Sequence, residues 1–173
     1  MEIPIKFFAS LKYGLNGRTS FPKLVKNLEV KVIHPKEPTS WMPFVPAVKV
    51  KGGSLLFISG CTALPLYHSH PHRAEEFDFP EDMEGQARRV FENIKSILHA
   101  AGADFKNIVM VKRYLIDMGE NDILNKVQKE FFGEHMNFAS TTVEVKGLVR
   151  PPADVPGLKK LRVEIDAIAV IEE

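Results

Sequence analysis

Cysteine is almost absent from this chain: Cys61 is the only one in 173 residues. No intrachain disulfide can form and a cysteine-based zinc site would lack ligands, a usage that fits a reducing cytoplasm. An excess of either charge sign is also missing. Twenty-three Lys and Arg face 22 Asp and Glu, a formal net charge of +1, which supplies neither the basic field of a nucleic-acid binder nor an acidic solvating tail. No run approaches the ~20 apolar residues of a membrane-spanning helix, and Met1 to Ser10 lacks the basic flank and apolar core of a signal peptide. There is no GxGxxG, GxxxxGK[ST], HExxH or GxSxG, so dinucleotide, P-loop, zincin and nucleophile-elbow chemistries have no support in the sequence.

What remains is an ordinary globular composition, 45% hydrophobic and 26% charged. At about 150 residues per domain the length predicts one domain with a small appendage, large enough to bury a core without a disulfide or structural metal. Residues 1–40 mix Gly, Asn, Ser, Pro and Lys and read as an N-terminal arm, ending in a strand where Leu28, Val30 and Val32 alternate with charged residues. The domain proper then spans residues 41–173. Pro35 to Pro46, with four prolines, reads as an extended connector.

Ala47 to Lys51, Gly52-Gly53 and Ser54 to Ser59 predict a β-hairpin, its second strand apolar on both faces and therefore buried. Leu64 to Met83, with three prolines and several histidines, reads as a loop. Ala87, Val90, Phe91, Ile94, Ile97, Leu98 and Ala101 fall at helical spacing, so a helix runs from about Asp82 to Ala101, stopped by Gly102. Asn107 to Met118 predicts a central strand. A shorter helix follows, marked by Ile123, Leu124, Val127 and Phe131 and ended by Gly133. Ser140 to Lys146 and Leu161 to Ile171 alternate as strands, joined by the Pro-rich loop Gly147 to Gly157. The order predicts an α+β fold: a mixed sheet of about six strands with both helices on one face. Two helices leave the second face open, and Ile168 and Val170 on it point to subunit contact.

Three features could carry chemistry. His68, His70 and His72 offer three imidazoles for zinc, copper or nickel. With i, i+2 spacing on a loop and no carboxylate between them, they read as solvated loop histidines, so no metal is expected. Cys61 follows Ser59-Gly60 at a strand end, where groups can face a pocket, yet no neighbouring base is identifiable and a small packed side chain is the plainer reading. Glu164 sits in the polar register of the last strand, as a general base or as a solvated carboxylate.

Taken in order, Met42-Pro43-Phe44, LLFISG (Leu55 to Gly60), HAAGADFKNIVMVKRYLIDM (His99 to Met118), NKVQKEFF (Asn125 to Phe132), TTVEVKGL (Thr141 to Leu148) and VEIDAIAV (Val163 to Val170) resemble the RidA/YjgF family of reactive-intermediate deaminases, also called the endoribonuclease L-PSP family. The likeness covers about three quarters of the chain. It implies a chorismate-mutase-like fold assembling as a homotrimer, without cofactor. The implied activity is hydrolysis of small 2-imino or 2-enamino acids to a keto acid and ammonia, in clefts between subunits. By the same resemblance Glu164 corresponds to the glutamate that positions or activates water, and Ser59, Gly60 and Cys61 line the cleft, Cys61 standing where many members carry glutamine.

Two departures stand out. The family arginine expected just before Thr141 to Val145, which forks onto the substrate carboxylate, is replaced by Phe138-Ala139-Ser140-Thr141, and the family tyrosine is Phe44. Losing a bidentate anchor costs a few kcal/mol unless it is replaced. Arg113, Arg150 or Arg73 could supply the charge from another direction, and Phe44, Ser140 and Thr142 complete the expected substrate-binding residues. The alternatives are a substrate without an α-carboxylate, or a non-catalytic trimer that binds a small metabolite. Ribonuclease activity, also described for the family, gains no support from the balanced charge.

Overall fold

The computed structural model describes residues 28–36, 42–149, 157 and 159–172. Most of the N-terminal arm, part of the Pro35 to Pro46 connector and Arg150 in the Pro-rich loop lie outside the described residues. Six strands and two long helices follow the order β1 (Glu29–Ile33), β2 (Ala47–Lys51), β3 (Ser54–Cys61), α1 (Met83–Ala100), β4 (Ile108–Leu115), α2 (Asn121–Phe132), β5 (Ala139–Glu144) and β6 (Val163–Ile171). The α+β class expected from the sequence is what forms.

The strands divide into two sheets. β3, β6, β4 and β5 lie side by side in that order, with β6 antiparallel to β3 and β4 and with β5 parallel to β4. The parallel pair is joined through α2, as such a crossover requires. β1 and β2 make a separate antiparallel ribbon, Val30 opposite Val50 and Val32 opposite Val48.

The expected hairpin across Gly52-Gly53 is therefore corrected. Both glycines have positive φ, +77° and +71°, but they carry the chain from one sheet to the other. β2, with a lysine at every second position, finds its match in the equally alternating β1, whereas the apolar β3 pairs with β6. The expectation that β3 is buried on both faces is also corrected. Ile58 is buried, but Leu55 and Phe57 are 58% and 70% exposed, because the helices cover one side of the sheet and β3 is its edge strand. Val170, expected on the open face, is buried instead; it lies beside Gly53 and Leu28, where the chain enters and leaves the ribbon.

α1 begins at Asp82, whose side chain accepts from the Gly85 N–H at 2.8 Å, and this bond holds the carboxyl below its usual range. Gly102 and Gly133, with φ of +70° and +54°, end the two helices where the sequence places the stops. Val90, Phe91, Ile94 and Leu98 of α1 and Leu124, Val127 and Phe132 of α2 pack against Val111, Leu115, Val163, Ile165 and Ala167 of the sheet. Phe91, Phe105, Phe132 and Phe138 form a chain of ring contacts through this layer, with centroids 4.6 to 6.3 Å apart. Gln86 is fully buried on α1 and spans to the start of β6: its amide donates to the Lys160 carbonyl and accepts from the Arg162 N–H, each at 2.8 Å.

Candidate active site

Successive side chains of a strand point to opposite faces, and β4 uses this to divide two neighbours. Arg113 faces the helices, opposite Thr142 of β5 and Ile165 of β6; Tyr114 faces the open side, opposite Glu164. The candidate residues accordingly fall into two groups.

The first group surrounds Arg113. Its guanidinium is 4% exposed and donates through Nε to Thr142 Oγ1 at 2.8 Å and through Nη1 to Asn125 Oδ1 at 2.7 Å and Gln128 Oε1 at 3.3 Å. Every partner is neutral. Nη2 has no acceptor among the described residues, and no carboxylate offsets the charge. Burial alone pushes the pKa down to about 10, which leaves the group a cation at neutral pH. Arg113 borders a cavity of about 440 Å³ lined also by Met42, Pro43, Phe44, Asn121, Asn125, Ser140 and Thr142. Two buried oxygens around it, Ser140 Oγ and Asn121 Oδ1, have no hydrogen-bond partner among the described residues. Val45 N–H to the Phe138 carbonyl, 3.0 Å, and Gln128 Nε2 to the Pro43 carbonyl, 3.4 Å, hold the Met42–Phe44 rim in place.

The second group surrounds Glu164 on the open face, in a recess of about 230 Å³ with Gly60, Tyr114, Val145, Gly147, Leu148 and Asp166. The Glu164 carboxylate makes no hydrogen bond or ion pair among the described residues. It lies directly over Gly60: a Cβ built there would meet Glu164 Oε1 at 2.0 Å, so any side chain at position 60 would displace the carboxylate from where it stands. The pairing of β3 with β6 slips between Ile58 and Cys61, and this bulge leaves both Ser59 and Gly60 exposed. Beside Glu164, the Tyr114 hydroxyl donates to Asp166 Oδ2 at 2.8 Å, which raises the pKa of the tyrosine.

Cys61 lines neither cavity. It is buried in the main core, its thiol donates to the Ser59 carbonyl at 3.5 Å, and burial, with a smaller push from the Glu164 charge, raises its pKa to about 11. A thiol so placed is almost wholly protonated at neutral pH and is no nucleophile. Arg73 is also accounted for, since it pairs with Glu76 on an exposed loop. Of the three candidate anchors, Arg113 is the one that faces a cavity among the described residues. The sequence reading missed Asn121, Asn125 and Gln128. The available signal was their spacing, i, i+4 and i+7, which puts polar side chains along a helix stripe that also carries buried Leu124 and Val127. It missed Tyr114 and Asp166 because open-face polar residues of a strand look alike until their neighbours are known.

Comparison with known proteins identifies the family. The family model described as endoribonuclease L-PSP matches residues 34–171. The chain is 33% identical to protein DfrA of Myxococcus xanthus over 84% of its own length and 99% of DfrA. It is 34% identical over 74% of its length to TdcF of Escherichia coli strain K12, 86% of which is covered; TdcF is named as a candidate reactive intermediate deaminase. The crystal structure of E. coli TdcF with bound serine superposes with a TM-score of 0.54 at 29% identity, over 82% of this chain and 97% of that one. With the fold, the element order and these matches in agreement, the chain belongs to the endoribonuclease L-PSP family, the RidA/YjgF proteins.

Proposed function

We propose that this chain hydrolyses small 2-imino or 2-enamino acids to the carbonyl acid and ammonia, with Arg113 replacing the arginine that the family carries before β5. The observation that carries this reading is a buried guanidinium, held by three neutral acceptors, facing a cavity with no counter-charge. A buried cation is stable when an anion completes it, and the α-carboxylate of an imino acid is an anion of the right size, held by the planar guanidinium fork. Serine, the ligand of the TdcF crystal structure, is itself a small α-carboxylate.

The carbon of a protonated imine is already electrophilic, so the reaction needs position more than a strong nucleophile. Glu164 accepts a proton from water as its oxygen bonds to that carbon. The resulting carbinolamine takes that proton back from Glu164 onto its nitrogen and expels ammonia as the C=O forms, its hydroxyl proton passing to the Glu164 carboxylate and on to the departing ammonia. Arg113 and Glu164 lie on opposite faces of one sheet, so a small acid touches both only between two copies, with Arg113 from one and Glu164 from the next. A homotrimer with clefts between subunits meets that condition. The exposed Leu55 and Phe57, on the same face as Glu164, supply apolar surface for a neighbour to cover.

The test is ammonia release from freshly generated 2-imino acids, wild type against Glu164→Gln, on protein whose assembly is checked by native mass. Turnover lost in Glu164→Gln supports the reading. No turnover above background on any substrate overturns it in favour of binding without catalysis.

A further inference from the structure

The loop between β3 and α1 carries His68, His70 and His72, which neither cavity uses. In an extended segment, the first and third of these histidines, four residues apart, would stand roughly 13 Å from one another, too far for all three to share an ion. Here the loop is folded. The three ring centroids are 4.9, 4.9 and 4.6 Å apart, and one ligand nitrogen of each ring lies within 4.8 Å of the other two. The spacing by itself does not bring them together; the fold of the loop does.

The cluster has a floor and a brace. Phe77, 2% exposed, packs beneath His68 and His72 with centroids at 5.3 and 5.5 Å. The Glu76 carboxylate accepts from the Ser69 backbone N–H at 2.8 Å and from its hydroxyl at 2.9 Å, and also binds the Arg73 guanidinium. Ser69 and Arg73 alternate with or adjoin the histidines, so Glu76 ties the histidine segment to the turn that follows it. It also neutralises the one arginine beside the rings. His68 and His70 are exposed and His72 is half-buried, so the outer side of the cluster is open.

We propose that His68, His70 and His72 form a binding site for a divalent transition metal, with three imidazole ligands and a fourth position open to water or an added ligand. Nitrogen ligands select zinc, copper(II) or nickel over calcium and magnesium, which take oxygen. Three histidines with one free position is a known zinc coordination pattern, and at a Zn–N distance of 2.0–2.1 Å its tetrahedron sets the nitrogens about 3.3 Å apart. The rings must close by up to about 1.5 Å, a movement that exposed side chains reach by rotation about χ1 and χ2. The site is separate from the Arg113 and Glu164 cavities and does not depend on the proposed deaminase reaction.

The experiment is calorimetric titration of tag-free protein with zinc, copper(II) or nickel in a non-chelating buffer. Cobalt(II) serves as the spectroscopic probe, since its visible bands intensify in four-coordinate geometry. One equivalent should bind to wild type, and His70→Ala and His68→Asn should each weaken it by more than about 100-fold, the upper range for loss of a supporting contact at a metal site. His99→Ala, a histidine elsewhere on the surface, and Arg113→Met should bind as wild type does. Both loop variants alter exposed residues, and their metal-free thermal melts check that the fold is kept. No stoichiometric binding, or binding unchanged in both His70→Ala and His68→Asn, would overturn the proposal and leave the cluster as ring packing on Phe77.

Discussion

Gly60→Ala separates the position of Glu164 from the stability of the fold. Gly60 does not have a positive φ, so alanine suits its backbone and the sole obstacle is the Glu164 carboxylate. The new Cβ would start 2.0 Å from Oε1 and 2.9 Å from Cδ. Since Cβ atoms essentially never come closer than 3.0 Å to a neighbour, the carboxylate must retreat by about 1 Å or more. It is the far end of a flexible side chain with no partner to lose, so the strain is that of one displaced rotamer, about 0.5–1.5 kcal/mol. In a chain of this length that lowers Tm by roughly 2–5 °C. A 1 Å misplacement of a group that delivers water can cost about 100-fold in rate. The assay pairs a thermal melt with kcat for ammonia release at saturating imino acid. A small fall in Tm with a loss of kcat near two orders of magnitude is expected. Full activity in Gly60→Ala would refute the assignment of Glu164, and a collapse of the fold would refute the claim that only the carboxylate fills that space.

Three other perturbations reach different parts of the molecule. Arg113→Met should lower kcat/KM for a 2-imino acid by about 30- to 1,000-fold, from loss of roughly 2–4 kcal/mol of charge-assisted hydrogen bonding, and leave the rate on the corresponding amide unchanged; steady-state kinetics on the two substrates decide it. Burial pushes the Cys61 thiol up to about 11, against 9.0 for a free cysteine, so its thiol ionises first in the unfolded chain. Its contribution is whole below pH 9 and is lost as pH rises toward 11, by up to about 3 kcal/mol, and urea unfolding should show a steeper decline over that window in wild type than in Cys61→Ala. Gln86→Leu keeps the volume but strands the Lys160 carbonyl and the Arg162 N–H; it should cost about 2–4 kcal/mol by urea unfolding, and a neutral result would mean that water reaches both groups.

The two helices, their glycine stops and the order of the strands were legible in the sequence, because each depends on periodicity and backbone preference within a short segment. The partners of the strands were not. Nothing local in Ala47 to Ser59 says that β2 joins β1 while β3 joins β6, since the choice rests on which distant strand offers the matching face. The resemblance pointed to Glu164 and Gly60, and the structure supplies the reason for the glycine in the 2.0 Å approach of the carboxylate. Asn125 lay inside a quoted motif without a role, and it acquires one only as an acceptor for Arg113 twelve residues away.

The sequence by itself determined an α+β fold, balanced in charge and without the cysteines for a disulfide, because composition and periodicity act within each segment. It also shows that Phe138 to Val145 carries no arginine. Only the tertiary structure decided where the chain's charged side chains and its histidines stand relative to one another. Strand alternation sends Arg113 to the helix face and Glu164 to the open face, and a loop fold that no spacing rule predicts draws three histidines into one cluster. Those outcomes depend on which surfaces meet, a property of packing between segments that no stretch of sequence carries alone.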